Sequence, residues 1–326
     1  MPDTAVPGYV PLAEVVRSGF REGVHYGAVI GLAADGTAAY RRGPADAPMF
    51  PRSAAKPFQA LAALRAGAPL SGPALAIAAG SHSGQDIHVE AVLATLSAAG
   101  LGADDLRCPP DRPMGGRFRD AMLRAGGEPT RTLMNCSGKH AAMLAACVAR
   151  GWSTGDYLDP GHPLQVLVRA TIEELCGEPV AHTAVDGCGA PQMAVSLAGL
   201  ARGLRAMAVA PGGTPEAAVI TAMREHPEYV AGEGRDDTRL MRSLPGLVSK
   251  IGAEGVIAMA TPAGESVAVK ISDGDPQTRA RTAVALTALE ALGVDIGPVR
   301  DMLSVDVLGG GAPVGAVRPL PALAGP

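Results

Sequence analysis

Strand-like patterns lie at the two ends of this chain and helical periodicity fills its middle, an order that few folds accommodate. Residues 25–42 read as a hairpin. Val29-Ile-Gly-Leu32 is mostly apolar, Asp35-Gly36 is a turn dipeptide, and Thr37-Ala-Ala-Tyr40 runs back. Residues 254–273 read the same way, with Val256-Ile-Ala-Met259, a Pro262-Ala-Gly264 turn and Val267-Ala-Val-Lys-Ile271. A helix is expected over 276–292 from its recurring Ala, Leu and Val. Between the hairpins, helices are expected over 54–66, 88–99, 117–125, 139–150, 161–176, 190–204 and 214–226, punctuated by Gly and Pro. The simplest packing joins the terminal hairpins into one mainly antiparallel sheet with a helix-rich middle region, an α/β (α+β) fold. The expected layout is a single catalytic unit over 1–326. Its sheet-forming part covers about 1–50 and 235–326, and its helix-rich part about 51–234. No internal repeat is evident. The tail 309–326, with Gly309-Gly-Gly311 and repeated Pro, is expected to be loosely held.

A chain of 326 residues with 47% hydrophobic and 18% charged residues can bury a large core and is not a disordered sequence. The net charge of −4 gives no electrostatic reason for nucleic acid or an anionic membrane as partner, and 3% aromatics argues against stacking platforms. No basic amino-terminal segment precedes a long apolar run, and no stretch of 18 apolar residues suggests a membrane span. The five cysteines at 108, 136, 147, 176 and 188 are odd in number and scattered. That pattern favours free thiols in a reducing cytoplasm over a disulfide framework.

Only four of the 28 basic residues are lysine: Lys56, Lys139, Lys250 and Lys270. Arginine stays charged in any protein environment, whereas lysine can lose its proton and act as a base or a metal ligand. Ser53 and Lys56 are three residues apart ahead of a helical run, so a buried lysine there has access to the serine proton. The same spacing also arises when a serine merely caps a helix. Lysine, a small or β-branched residue and glycine on a strand near the C-terminus accompany S-x-x-K in penicillin-recognising enzymes, and here Lys250-Ile-Gly252 precedes the hairpin strand 256–260. The Ser-Asp-Asn element of those enzymes is absent, and Gly80-Ser81-His82-Ser83-Gly84 offers a second hydroxyl or simply a tight turn.

Asn135-Cys136-Ser137-Gly138-Lys139-His140 opens a helix, with Ser137 as the expected N-cap and Cys136 one turn from Lys139. A second cysteine lies in Asp186-Gly-Cys188-Gly-Ala-Pro191. Two thiolates suit a borderline-soft ion such as zinc, although the spacing matches no common zinc finger and, on the residues alone, two small buried thiols are the favoured reading. Cys108, Cys147 and Cys176 lack such contexts and read as core. His25 reads as a half-exposed strand-edge residue and His88 as one that caps or faces a helix. His162, His182 and His226 read as loop or surface residues.

Six motifs in order resemble the rhizobial-type L-asparaginase family. They are Arg17-Ser-Gly…Glu22…His25, Pro51-Arg-Ser-Ala-Ala-Lys-Pro-Phe-Gln59, Ser81-His-Ser-Gly84…His88, Asn135–His140, Asp186–Pro191 and Lys250-Ile-Gly-Ala-Glu-Gly255. The resemblance spans about residues 10–290. It implies hydrolysis of L-asparagine to L-aspartate and ammonia, a fold like that of serine β-lactamases and glutaminases, and a homodimer. It also implies two serine–lysine pairs, Ser53 with Lys56 and Ser81 with Lys250, with Lys270 as the alternative second lysine. A zinc ion held by Cys136, Lys139 and Cys188 is implied as well, which would organise the pocket. Arg52, His140 and Asp186 are the candidates for holding the substrate's α-carboxylate and α-ammonium groups. Two rival readings stay open. One is a related serine–lysine hydrolase, such as a glutaminase or a penicillin-recognising enzyme. The other is a non-catalytic zinc- or amino-acid-binding protein.

Overall fold

The computed structural model describes residues 8–323. The chain divides into two compact units. One comprises Met1–Ala54, Val195–Val209 and Ser243–Pro326, and the other comprises Ala55–Ala194 and Ala210–Arg242.

The first unit begins with β1 (Val10–Arg17) and β2 (Phe20–Leu32), joined through Ser18 and Gly19, both in the left-handed region. The Asp35-Gly36 turn then leads into β3 (Ala38–Arg42), with Asp35 Oδ1 accepting from the Thr37 N–H at 2.8 Å. A short β4 (Pro48–Met49) ends this stretch.

The chain then enters the second unit, which is built of α1 (Lys56–Arg65), α2 (Gly72–Ala78), α3 (Asp86–Ala98), α4 (Gly116–Arg124), α5 (Ser137–Arg150), α6 (Pro163–Cys176) and β5 (His182–Val185). Strand β6 (Pro191–Ser196) pairs with β5 through Pro191–Ala194 and with β4 through Val195 and Ser196. Next come α7 (Leu197–Ala208) in the first unit and α8 (Pro215–Glu225), α9 (Pro227–Val230) and α10 (Asp236–Ser243). The chain finishes in the first unit with β7 (Val248–Gly252), β8 (Val256–Ala260), β9 (Ser266–Ile271), α11 (Arg281–Ala291), β10 (Val305–Gly309) and β11 (Ala312–Pro319).

The sheet of the first unit runs β10-β11-β1-β2-β9-β8-β7, with β3 also on β2, and every described pairing is antiparallel. The two terminal hairpins meet at β2 and β9, in register from Gly27 opposite Ile271 to Leu32 opposite Ser266. This is the mainly antiparallel sheet with a helix-rich middle that the sequence pattern implies. Strands β7 and β8 are buried at every position. The continuous apolar sequence of β8, Val-Ile-Ala-Met-Ala, follows from having both faces covered, where a half-exposed strand would alternate, while β7 buries Ser249 and Lys250 among its apolar residues. In this unit α7 and α11 both pack against β8, β9 and β2. In the helical unit, α5 is buried along almost its whole length and packs against α1, α2 and α3. Among the described residues no helix is long and apolar enough to cross a membrane.

Three expectations are corrected. The carboxy-terminal tail is not loose over its strand, because Ala312–Pro319 forms β11 and pairs with both β1 and β10, while 324–326 lie outside the described residues. Pairing on both edges, with Val317 buried against Val15 and Val307 and Val314 packed on them, outweighs the flanking glycines and prolines. The helix expected over 190–204 begins only at Leu197, where Ser196 caps it by accepting from the Gly199 N–H at 2.8 Å, and residues 191–196 are a strand. His162 is buried rather than at the surface, and its Nδ1 caps α6 by accepting from the Leu164 N–H at 3.1 Å.

The start of α11 depends on one carboxylate. Asp275 is buried, and its two oxygens accept from the N–H groups of Arg279 (2.8 Å), Ala280 (3.1 Å) and Arg281 (3.1 Å), which the helix itself leaves unpaired. Asp275→Ala is expected to lower stability to urea by about 1–2 kcal/mol, with Asp275→Asn in between. An unchanged urea midpoint for the alanine variant would show that the cap is not what holds α11.

Candidate active site

The first unit carries Arg52, Ser53 and Lys250. Arg52–Ala55 form a single 3-10 turn ahead of α1, and Arg52 has a positive φ of 51°, a strained conformation for a residue with a side chain. The turn is backed by β7. A Cβ on Gly252 would lie 2.4 Å from the Pro51 carbonyl oxygen and 3.2 Å from the Ala54 nitrogen, so only glycine lets the segment bearing Ser53 come this close. Ser53 does not cap α1, whose N-cap is Ala55 with no side-chain bond. Its hydroxyl is therefore not spent on the helix, and the capping alternative falls. Lys250 is fully buried (0% exposed) two residues before Gly252 and donates to the Ile251 carbonyl at 2.8 Å. Lys270, by contrast, is only half-buried and donates to the Glu254 carbonyl. Arg52 lies 3.7 Å from the Glu254 carboxylate.

The helical unit carries Lys56, Ser81 and the cysteine motifs. Lys56, 1% exposed, opens α1, and its Nζ donates to the Ser81 hydroxyl at 2.9 Å and to the Gly80 carbonyl at 2.6 Å. Gly80 leaves no room for a side chain, since a Cβ there would lie 2.8 Å from the Tyr229 oxygen and 2.9 Å from the Val230 oxygen. Ser81 donates its N–H to Val230 at 2.7 Å, and the Ser81 loop is thus held from both α1 and α9. The lysine three residues after Ser53 bonds, within its own unit, to Ser81.

The second cluster is built on the start of α5. Lys139 Nζ is 2.9 Å from the Cys188 sulfur, and Lys139, Cys136 and Cys188 are all buried. The Cys136 thiol is held well below its usual range, chiefly by a hydrogen bond from Cys188 and helped by Lys56 and Lys139. Hydrogen bonding to Cys136 and burial push the Cys188 thiol up. Burial works against the charge on Lys139, but the two thiols and Asp186 more than offset it, and its pKa is raised. His140 Nδ1 meets the Tyr157 hydroxyl at 2.7 Å, and that hydroxyl accepts from the Arg107 N–H at 3.0 Å. Burial drives the His140 pKa down to about 4, and its Nε2 is buried without a well-formed hydrogen bond. Asp186 sits in the tight turn before Cys188, with its Oδ1 accepting from the Gly187 N–H at 2.8 Å.

Sequence reasoning missed several neighbours. Tyr157 is fully buried and orients His140 from a loop with no motif to mark it. Cys108, read as a plain core residue, lies close enough to Cys188 and Lys139 for both to act on its ionisation. Ser137 is not the N-cap of α5; Cys136 occupies that position, and Ser137 is the first helical residue. His25 is buried, with Nδ1 2.7 Å from the Asp273 carboxylate. His88 does cap: it forms a reciprocal capping box with Gln85 at the start of α3. Among the described residues no group of three or more histidines, cysteines and carboxylates gathers to hold a metal. The candidate set here is two thiols and a lysine amine. A groove of about 440 Å³ elsewhere in the helical unit, lined by Leu70, Pro73, Ile87, Ala94 and Tyr229 among others, contains none of these residues. The site is assigned by side-chain chemistry and not by cavity size.

Within the helical unit, buried lysine amines thus stand against a serine hydroxyl and a cysteine sulfur. The chain belongs to the L-asparaginase II family, which matches residues 13–319. No curated protein is significantly similar to it. Among solved structures it resembles Mglu in its native form (16% identity, TM-score 0.44), covering 82% of this chain and 62% of that one. It also resembles EstCE1, described as a hydrolase with promiscuous acyltransferase activity (12% identity, TM-score 0.45), covering 82% of this chain and 93% of that one. A β-lactamase from Mycobacterium bovis is similar at 14% identity and TM-score 0.38, with 82% and 94% covered. The chain thus spans less than two thirds of Mglu. The architecture is defined by the strands and helices themselves.

Burial lowers the pKa of His82, with His88 and Lys56 adding to the effect, and burial lowers that of His88 too. In the unfolded chain both titrate near 6.5. Below that pH the unfolded state binds protons that the folded state refuses, so stability falls as pH drops. Each histidine contributes up to about 1.4 kcal/mol per pH unit until its folded pKa is passed. Urea unfolding is expected to show falling stability from pH 6.5 to 5, above the range where carboxylates titrate. A flat profile there would show that the two rings accept protons freely in the folded protein.

Proposed function

We propose that the protein hydrolyses L-asparagine to L-aspartate and ammonia through a serine acyl-enzyme served by lysine. The observation that carries this reading is the buried Lys56 amine, 2.9 Å from the Ser81 hydroxyl, in a chain of the L-asparaginase II family. In the first step the Ser53 Oγ attacks the side-chain amide carbon, and its proton passes to neutral Lys56. A C–O bond forms as the carbonyl π electrons move onto oxygen. Backbone N–H groups of the turn bearing Ser53 are the candidate donors to that oxyanion. Collapse of the intermediate breaks the C–N bond, and ammonia leaves with a proton supplied by the Lys56–Ser81 pair, with Lys250 as the second lysine of the reaction. Water then attacks the β-aspartyl ester, gives up its proton to the same pair, and restores the serine. Arg52, His140 and Asp186 are proposed to hold the substrate's α-carboxylate and α-ammonium groups. The bond from Lys56 to Ser81 favours one second reading, in which Ser81 is the nucleophile and Ser53 assists.

Ser53→Ala and Lys56→Arg are each expected to reduce ammonia release from asparagine by about 10²–10⁴-fold with the fold intact, because arginine keeps the charge but cannot take a proton. Acid quenching followed by peptide mass spectrometry locates the β-aspartyl ester. An ester on Ser81 selects the second reading, and near-normal turnover by Lys56→Arg removes the lysine base. Glutamine and a β-lactam assayed alongside test the substrate class.

The two thiols and the amine around Lys139 suit zinc in donor type, since thiolates and a neutral amine bind a borderline-soft ion. Cys136, Lys139 and Cys188 are proposed to hold it. When bound, zinc supplies a fixed positive centre that organises the neighbouring loops. Zinc content is expected to reach up to one ion per chain and to vanish in the Cys136→Ser/Cys188→Ser variant. Reduced wild-type protein that takes up no zinc from a competing chelator would return both cysteines to plain core thiols.

A further inference from the structure

His82 belongs to none of the roles above, yet it is a fully buried imidazole next to Ser81. Its Nδ1 accepts from the Gly84 N–H at 3.3 Å, which places its proton on Nε2. Nε2 donates to the Ser137 Oγ at 2.8 Å, and Ser137 donates onward to the Thr132 carbonyl at 2.8 Å. The His82 backbone N–H also donates to the Asn135 carbonyl at 3.2 Å. The ring stacks on His88 with centroids 5.0 Å apart. His88 is itself pinned, with Nδ1 accepting from the Gln85 N–H at 3.0 Å and Nε2 donating to the Glu228 carbonyl at 2.8 Å. One side chain thus ties the Ser81 loop to the segment entering α5.

We propose that His82 is a positioning residue for the reaction. Its bond to Ser137 fixes the Ser81 loop so that the Ser81 hydroxyl stays on the Lys56 amine. Both ring nitrogens are occupied by partners other than Ser81 and Lys56, so the ring holds geometry and carries no proton in the reaction. Burying an imidazole costs desolvation that an apolar side chain of similar size would avoid, and its complete hydrogen bonding shows what that burial secures. Ser81 is bracketed by Gly80, held by Lys56 at 2.6 Å, and by His82, held by Asn135 and Ser137. Releasing the second bracket frees the Ser81 hydroxyl to leave the lysine, and displacements of about 1 Å cost on the order of 10²-fold in rate.

This inference rests on the serine–lysine reading of Ser81 and Lys56, and its test separates the two. Ser137→Ala, His82→Met, His82→Gln and the double variant His82→Met/Ser137→Ala are compared by kcat and KM for asparagine. Ser137→Ala and His82→Met are each expected to lower kcat by about 10–100-fold with KM nearly unchanged. The double variant should be no worse than the poorer single one, because both remove the same bond. His82→Gln, whose amide NH₂ still reaches Ser137, should recover most of the loss. Additive losses, an effect confined to KM, a fully active Ser137→Ala, or glutamine no better than methionine would each overturn the proposal. If His82→Met fails to fold, Ser137→Ala and His82→Gln carry the test. If the wild-type protein leaves asparagine untouched, the proposed substrate falls. The same variants are then ranked by the rate at which a fluorophosphonate labels the reactive serine, Ser53 or Ser81, with the same expected order.

Discussion

The β2–β9 ladder is the interaction on which the rest of the architecture depends. It joins Gly27–Leu32 to Ser266–Ile271 across more than two hundred residues of intervening chain, and it is the only pairing described between the amino-terminal and carboxy-terminal hairpins besides β1 with β11. Closing so long a loop costs little more than closing a shorter one, because the entropy grows only with the logarithm of length. A large insertion is therefore compatible with a stable sheet. The approach is close enough that a Cβ on Gly27 would lie 2.1 Å from the Lys270 carbonyl oxygen. Once β9 is fixed, the β9-β8-β7 order places Lys250 on the last strand, and Gly252 at its end receives the turn that carries Ser53. The register of a strand pair at the middle of the sheet thus sets where a serine and a lysine stand at its margin.

The lysines show how the chain spends its buried charge. Lys56, Lys139 and Lys250 are 1%, 2% and 0% exposed, while Lys270 keeps partial access to water. Each buried amine has its own partners: a hydroxyl and a carbonyl for Lys56, a thiol for Lys139 and a backbone carbonyl for Lys250. An arginine in any of these positions would bring a broad planar fork and five donors into a space that satisfies a compact amine. It would also remain charged whatever its neighbours did. Twenty-four arginines serve the rest of the protein, and several form ion pairs with at least one partner in water, such as Arg65 with Glu174 and Glu216.

Much of this was legible in the sequence because the signals were local. The Asp35-Gly36 hairpin, the Val256–Ile271 hairpin and the helix at 281–291 follow from turn chemistry and periodicity that no distant residue overrides. The strand 191–196 was hidden because its sequence, Pro-Gln-Met-Ala-Val-Ser, suits a helix as well as a strand, and its pairing with β5 and β4 decides the matter. The β11 strand was hidden by glycine and proline, whose local meaning is loop but which an antiparallel neighbour on each side overrules. At the site, the motifs singled out Ser81, Lys56, Cys136, Lys139 and Cys188. They did not reveal that Lys56 bonds to Ser81, nor that Tyr157 and His82 are wired into the loops around them. Those are contacts between segments far apart in sequence, and a single-residue tyrosine or histidine carries no spacing to betray them.

The buried polar groups of the helical unit form two kinds of arrangement with different physical consequences. His82 and His88 are neutral, and every ring nitrogen has a partner. Such a pair stiffens its loop without placing charge in a low-dielectric interior. Lys139 with Cys136 and Cys188 is the opposite case, a cation and thiols gathered where desolvation is severe and their mutual attraction is correspondingly large. The neutral arrangement holds the Ser81 loop, and the charged one lies at the start of α5. They meet at Ser137, which accepts from His82 and sits between Cys136 and Lys139 in sequence. The His82–Ser137 bond thus joins the Ser81 loop to the first turn of the helix on which the thiol–lysine cluster is built.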